Sequence, residues 1–175
     1  MLLAGQSYVV MGSRTLGATM HVLISSLPIL CYGLALVLGL LGIELPFAST
    51  ETSPLIQWTL FLALGLLSLW SAFAHAVFTD FTAQSIGWAP SPFQKEIAGA
   101  NLGIGLGAIA ASVLGYTAAW TMFFVAASFL WGAAAVHVAD MVSNKNFAIN
   151  NAGPIFWWDI LTPITLLIAL LLRAS

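Results

Sequence analysis

The sequence predicts an all-α fold: a polytopic membrane helical bundle with five transmembrane helices, the last four forming two repeated helical hairpins. Three observations carry that prediction. Charged residues make up 6% of the chain, against roughly 25% in soluble domains, and the mean hydropathy is +1.01. A soluble core of this size would need many more charges to cover its outside. The apolar residues fall in long runs bounded by Pro, Asn, Gly and charge, each near the ~20 residues that a spanning helix needs. Two of those runs also resemble each other in their polar residues. A nucleic-acid binder and a disulfide scaffold are excluded, because there is no basic patch and Cys31 is the single cysteine.

Residues 1–13 lack the basic segment and nearby small-residue cleavage site of a secretory signal, so they are expected to stay on the protein, at the interface. The first run, about 16–43, contains Pro28, which should kink it. The second run covers about 55–80 and the third about 93–114. The fourth covers about 117–140 and the fifth about 154–172. All are far longer than barrel strands and show no apolar–polar alternation. The chain, 1–175, reads as a single transmembrane domain. Five crossings put the termini on opposite sides. Arg14, Lys95 and Lys145 then share the N-terminal side, while Arg173 lies on the other with Glu44 and Glu51. The positive-inside bias therefore favours a cytoplasmic N-terminus.

Trp58, Trp88, Trp120, Trp157 and Trp158 fall near predicted span ends and read as interfacial anchors. Gly99, Gly103 and Gly107 recur every four residues on one face of the third span. Such a face lets another helix approach closely. Packing within one monomer is the first reading; a seam with a second copy or a membrane-protein partner is the other.

Leu69-Trp70-Ser71-Ala72 precedes His75 and Asp80, and Leu130-Trp131-Gly132-Ala133 precedes His137 and Asp140. Each set is followed by a loop with Asn or Gln, Gly and Pro, then by a helix with an acid near its start. His75 and Glu96 stand 21 positions apart, His137 and Asp159 22. The second and third spans and the fourth and fifth therefore read as parallel repeats, and sites commonly form where repeats meet.

The ionisable residues fall at one predicted level. At about 1.5 Å per residue, His75 lies ~7.5 Å deeper than Asp80 and His137 ~4.5 Å deeper than Asp140. Glu96 and Asp159 enter from the starts of the third and fifth spans, and His21 from the start of the first. Ser68, Ser71, His75 and Thr79 form a polar stripe at helical spacing. Ionisable groups at membrane depth are costly unless they face protein or water and pair with one another.

Two imidazoles and two carboxylates from four helices match the donor sets with which helical bundles hold divalent metals. The expected metal ligands are His75, Glu96, His137 and Asp159, with His21, Asp140, Asp80 and Asn101 behind them and iron, manganese or zinc as the cofactor. The order His137-x-x-Asp140 reverses the usual Glu-x-x-His, and the His75–Asp80 spacing turns those two side chains about 140° apart. Two alternatives stay open: acids and imidazoles that only cap loop amides, and an ion or proton pathway. The loops 81–92 and 141–153, rich in Pro, Trp and Asn, read either as lids over the polar layer or as tight interfacial turns.

The strings Gly87-Trp88-x-x-Ser91-Pro92-Phe93-Gln94-x-Glu96 with Asn101-Leu102-Gly103, and His137-x-x-Asp140, Asn146-Phe147-Ala148, Asn151-Ala152-Gly153 and Asp159-Ile160, resemble a family of small uncharacterised bacterial inner-membrane proteins. The likeness covers about the last two-thirds of the chain. A weaker likeness to the four-helix DoxX-like membrane proteins rests on the acid and glycines of the third span. The resemblance implies a bacterial cytoplasmic membrane and brings no reaction, so whether the protein is an enzyme stays open. The functional expectation is a His/carboxylate site near the cytoplasmic face, binding a transition metal. A small ion or proton transporter or channel, or a structural subunit of a membrane complex, is the alternative.

Overall fold

The computed structural model describes residues 25–174, and among them every regular element is helical. We label them α1 (Ser25–Leu40), α2 (Pro54–Val77), α3 (Thr79–Ile86), α4 (Phe93–Leu114), α5 (Tyr116–Asn144), α6 (Ile149–Ala152) and α7 (Pro154–Ala174).

Four helices are long and apolar enough to cross a membrane: α2, α4, α5 and the segment Ile149–Leu172 that includes α7. The shortest, α4, has 22 residues, or ~33 Å at 1.5 Å per residue, against a hydrocarbon core of ~30 Å. The expected five spans thus become four among the described residues. The described part of the first run is only Ser25–Leu40, ~24 Å long, and its predicted start lies outside the described residues. Large apolar side chains such as Leu106, Phe124, Val125 and Ile168 stand exposed along these helices, as lipid-facing surfaces do.

Local chemistry sets the helix ends. Ser53 caps α2 by accepting from the Ile56 N–H, with Pro54 in the first turn, where its missing N–H costs nothing. At Phe78 the backbone leaves the helical region, and the Thr79 hydroxyl donates to the freed His75 carbonyl at 2.9 Å. The predicted second run therefore breaks before Asp80, and the first half of the expected loop 81–92 is part of helix α3. That helix stops at Gly87, whose φ of +87° is left-handed. The Glu51 carboxylate accepts from the Tyr116 N–H at the start of α5 at 3.3 Å, a position the helix dipole favours.

Lipid tails are as apolar as leucine, so close packing and interhelical hydrogen bonds must hold these helices together. The helix α2 packs along α4, and α5 along α7. A close approach joins Gly65 of α2 to Gly105 of α4: a Cβ on Gly105 would sit 2.8 Å from the Leu69 side chain and 3.0 Å from the Gly65 carbonyl. Around this crossing Leu60, Leu64 and Leu67 meet Ile104 and Ala108, while Leu166 and Leu170 of α7 complete the core. Within α2, Thr59–Leu66 is a wide π-helical turn, and the Ala63 carbonyl there accepts from the Trp158 indole of α7. Tyr32 of α1 meets Thr165 of α7 at 2.7 Å, and Tyr116 donates to the Leu170 carbonyl at 2.8 Å.

The expected packing stripe is corrected by the same geometry. A Cβ on Gly99 or Gly103 would meet nothing within 4 Å, and only Gly107 faces a neighbour, the Met122 sulfur. The glycines that bring helices together are Gly65 and Gly105, and Gly39 of α1 against the Leu55 backbone of α2. Gly105→Val should therefore lower the thermal unfolding temperature of the detergent-purified protein, at the ~1–3 kcal/mol usual for an overpacked core. Gly103→Ala should leave it unchanged or raise it.

Candidate functional site

The C-terminal ends of α2 and α5 and the N-terminal ends of α4 and α7 meet at one end of the bundle, and between them lies a cavity of about 350 Å³. Aromatic and aliphatic side chains make most of its wall, including Trp88, Phe129 and Trp158. Its polar wall comprises His75, Gln94, Asn101, His137 and Asp159, with Ser71 and Ser128.

The most constrained of these is His137. The Asn151 amide nitrogen donates to the Asn146 carbonyl at 2.7 Å, which turns the Asn151 amide oxygen toward His137 Nδ1, also at 2.7 Å. An amide oxygen can only accept, so Nδ1 carries the hydrogen and Nε2 is the nitrogen left facing Asp159. Nε2 lies 3.7 Å from Asp159 Oδ2. At that separation no hydrogen bond joins the two groups. Asp159 is 2% exposed, and among the described residues nothing donates a hydrogen bond to its Oδ2. An ionisable group held this way in a low-dielectric interior costs several kcal/mol.

A second acceptor is left open on α4. Asn101 donates its amide hydrogen to the Ile97 carbonyl at 3.0 Å, one helical turn back, and its Oδ1 is buried without a partner. Gln94, seven residues earlier on the same face, turns its amide oxygen to His75 Nδ1. Each imidazole on the cavity wall is thus oriented through Nδ1 by a side-chain amide.

Two loops close this end. Trp88 stacks on His137, with ring centroids 5.7 Å apart and planes 17° from parallel, and donates from its indole to Asp140 at 2.9 Å. Asp140 also accepts from Asn144 and from Asn146, each at 2.6 Å, and Asn146 reaches on to the Ile86 carbonyl at 2.8 Å. A Cβ on Gly87 would collide with the Asn146 side chain. Nearby, Asn150 joins Ser85 of α3 at 3.0 Å to Ser25 of α1 at 3.1 Å. The loops are therefore bonded to one another and to the helix ends below them.

The residues expected as metal ligands do not gather. His75, His137, Asp159 and Asn101 line one cavity, but Glu96 is exposed and off its wall. Glu96 is two residues from Gln94, so ~200° around the helix puts it on the opposite face. Asp80 is exposed in the first turn of α3, Asp140 is engaged by the loops, and His21 lies outside the described residues. Among the described residues no three His, Cys, Asp or Glu side chains come together as a metal would require. The proposed repeat equates Glu96 with Asp159, yet one is exposed and the other buried.

The expected anchors Trp88 and Trp158 are cavity walls. Gln94 and Asn151, which orient the imidazoles, were not singled out as site residues. For Gln94 a signal existed, since it shares a helical face with Asn101. For Asp159 there was another: Pro163, inside α7, has no N–H to give the Asp159 carbonyl. If Asp140 positions Trp88, then Asp140→Ala should lower the unfolding temperature and weaken the near-UV circular dichroism of the stacked indole. Asp80→Ala should do neither.

No curated protein and no solved structure matches the chain. One family model does, over residues 25–175, and so takes in α1 as well as the part carrying the polar strings. The match bears on membership of an uncharacterised family, and carries neither a bacterial origin nor the DoxX likeness. With a match over 25–175, the chain belongs to the family of unknown function DUF6790.

Proposed function

We propose that the protein binds a small, uncharged, hydroxyl-bearing molecule in the cavity between His75, Asn101, His137 and Asp159. The observation that carries this reading is the pair of acceptors Asp159 Oδ2 and Asn101 Oδ1. Among the described residues both are buried without a donor, on residues that line one mostly apolar cavity. Unmet buried acceptors are expensive, and a ligand that brings hydrogen-bond donors removes the cost. Among the described residues no third His, Cys, Asp or Glu side chain joins His137 and Asp159, so a hydroxyl donor suits the site better than a metal cation, which needs more ligands.

This reading takes the place of a transition-metal site, for which the required donors are not assembled among the described residues. It is also favoured over a pore. Toward the other end of the bundle Ser112 turns back to the Ile109 carbonyl and Thr165 is engaged by Tyr32, which leaves only the isolated buried hydroxyls of Thr59, Ser68 and Thr162 among the described residues. By the positive-inside bias we place the cavity end, which carries Lys95 and Lys145, on the cytoplasmic side of the membrane.

The test compares 4-propylphenol with its methyl ether, 4-propylanisole, by titration calorimetry of the protein in lipid nanodiscs. The phenol should bind saturably, and the ether about 10-fold or more weaker, since a hydrogen bond to a charged acceptor is worth ~1.5–3 kcal/mol. Asp159→Leu should erase the difference between the two. Equal affinities in the wild type, or a phenol preference that survives Asp159→Leu, would sink the proposal. The same substitution should keep or raise the unfolding temperature, because a buried polar group held for binding is exchanged for an apolar one of similar size.

A further inference from the structure

The cavity is not closed on all sides. Ser128, Gly132 and Val136 stand four residues apart along α5, line the cavity wall, and are exposed. Across from them on α4, Phe93 also lines the cavity and is 56% exposed. On a helix that crosses a membrane, an exposed flank between the ends faces acyl chains. No described residue covers this opening, which therefore meets the bilayer between α4 and α5.

The hairpin geometry accounts for the gap. The helices leave their shared turn at Gly115 in contact, with Gly107 beside the Met122 sulfur. Nearer the cavity the small residues Gly103 and Gly132 leave open space, and a Cβ on either would meet nothing within 4 Å. The cavity's size points the same way. About 350 Å³ is roughly twice the ~150 Å³ that holds a benzene ring. A substituted ring fits inside, and a long hydrocarbon chain does not. Depth agrees as well: Asp159 is five residues past Pro154, or ~7.5 Å along α7. That is the boundary at which the polar head of a membrane amphiphile resides.

We infer that the occupant is a membrane-resident amphiphile of the alkylphenol class, whose hydroxylated ring reaches Asp159 and Asn101 while its hydrocarbon tail leaves past Gly132 into the bilayer. The inference rests on the hydroxyl-binding reading above and adds the source of the ligand and its route. Val136 and Phe93 then flank the tail. Ser128, on the same line of α5, returns its hydroxyl to the Phe124 carbonyl at 2.7 Å and so offers the tail no unmet polar group.

The experiment measures binding of 4-propylphenol and 4-dodecylphenol to the full chain in phosphatidylcholine nanodiscs, above that of empty nanodiscs, for wild type, Gly132→Ala and Gly132→Trp. Wild type and Gly132→Ala should bind both probes. In Gly132→Trp the indole fills the opening, so affinity for the dodecyl probe should fall at least tenfold while the propyl probe changes less than threefold. Changes of equal size for the two probes, or no change for either, overturn the lateral route. In that case 4-propylphenol binding that depends on Asp159 would leave the pocket reading standing. Failure of the wild type to bind either phenol ends both readings together. A Gly132→Trp protein that does not fold is replaced by Val136→Trp, at the next turn of the same line, with the same expected ratio.

Discussion

The structure depends on a carboxylate kept where a carboxylate is least at home. Asp159 enters the bundle on α7, buried and beside His137, with one oxygen given no donor by any described residue. In water such a group is solvated at no expense; in a low-dielectric interior it must be neutralised, paired or supplied with a donor. His137 stands nearest, but its other ring nitrogen is committed to Asn151 and Nε2 lies 3.7 Å away, too far for a hydrogen bond. The donor is missing, and the cavity in front of it is large enough to admit one.

Much of the surrounding structure serves to hold that arrangement still. Trp88 stacks on His137 and is itself held by Asp140, which Asn144 and Asn146 hold in turn. Asn151 orients the imidazole and is anchored on the Asn146 carbonyl. On the floor of the bundle the Gly65–Gly105 crossing and the indole of Trp158 on the Ala63 carbonyl lock α2 to α4 and to α7. The α4–α5 hairpin, by contrast, is in contact at its turn and open at the cavity. The same four helices thus carry a tight end and a loose one, as expected when stability and binding are assigned to different parts of a small bundle.

The helical class and the long apolar helices were legible because spanning length is a property of composition along the chain, and lipid leaves a backbone few other options. That His75, His137 and Asp159 stand near one level could also be read, since helical rise converts sequence distance into depth. What could not be read was rotation. A stripe of Gly99, Gly103 and Gly107 suits a packed face and an open one equally, and assuming the packed face turned Glu96 inward when Gln94 and Asn101 hold that position. The break at Phe78 was missed because the apolar run continues up to it, and the helix α3 because Thr79–Ile86 is mostly polar and reads as loop. Contacts between loops, such as Asn146 with Asp140 and Ile86, leave no periodic trace at all.

The chain has three aspartates, Asp80, Asp140 and Asp159, so isotope labelling of aspartate carboxyl carbons marks few groups. The most direct measurement is an infrared difference spectrum, with and without 4-propylphenol, of protein labelled with carboxyl-¹³C aspartate in nanodiscs. The account requires an isotope-sensitive carboxyl band that shifts when the phenol is added and is absent from Asp159→Asn. A spectrum in which saturating phenol leaves every labelled carboxyl band unmoved would contradict it.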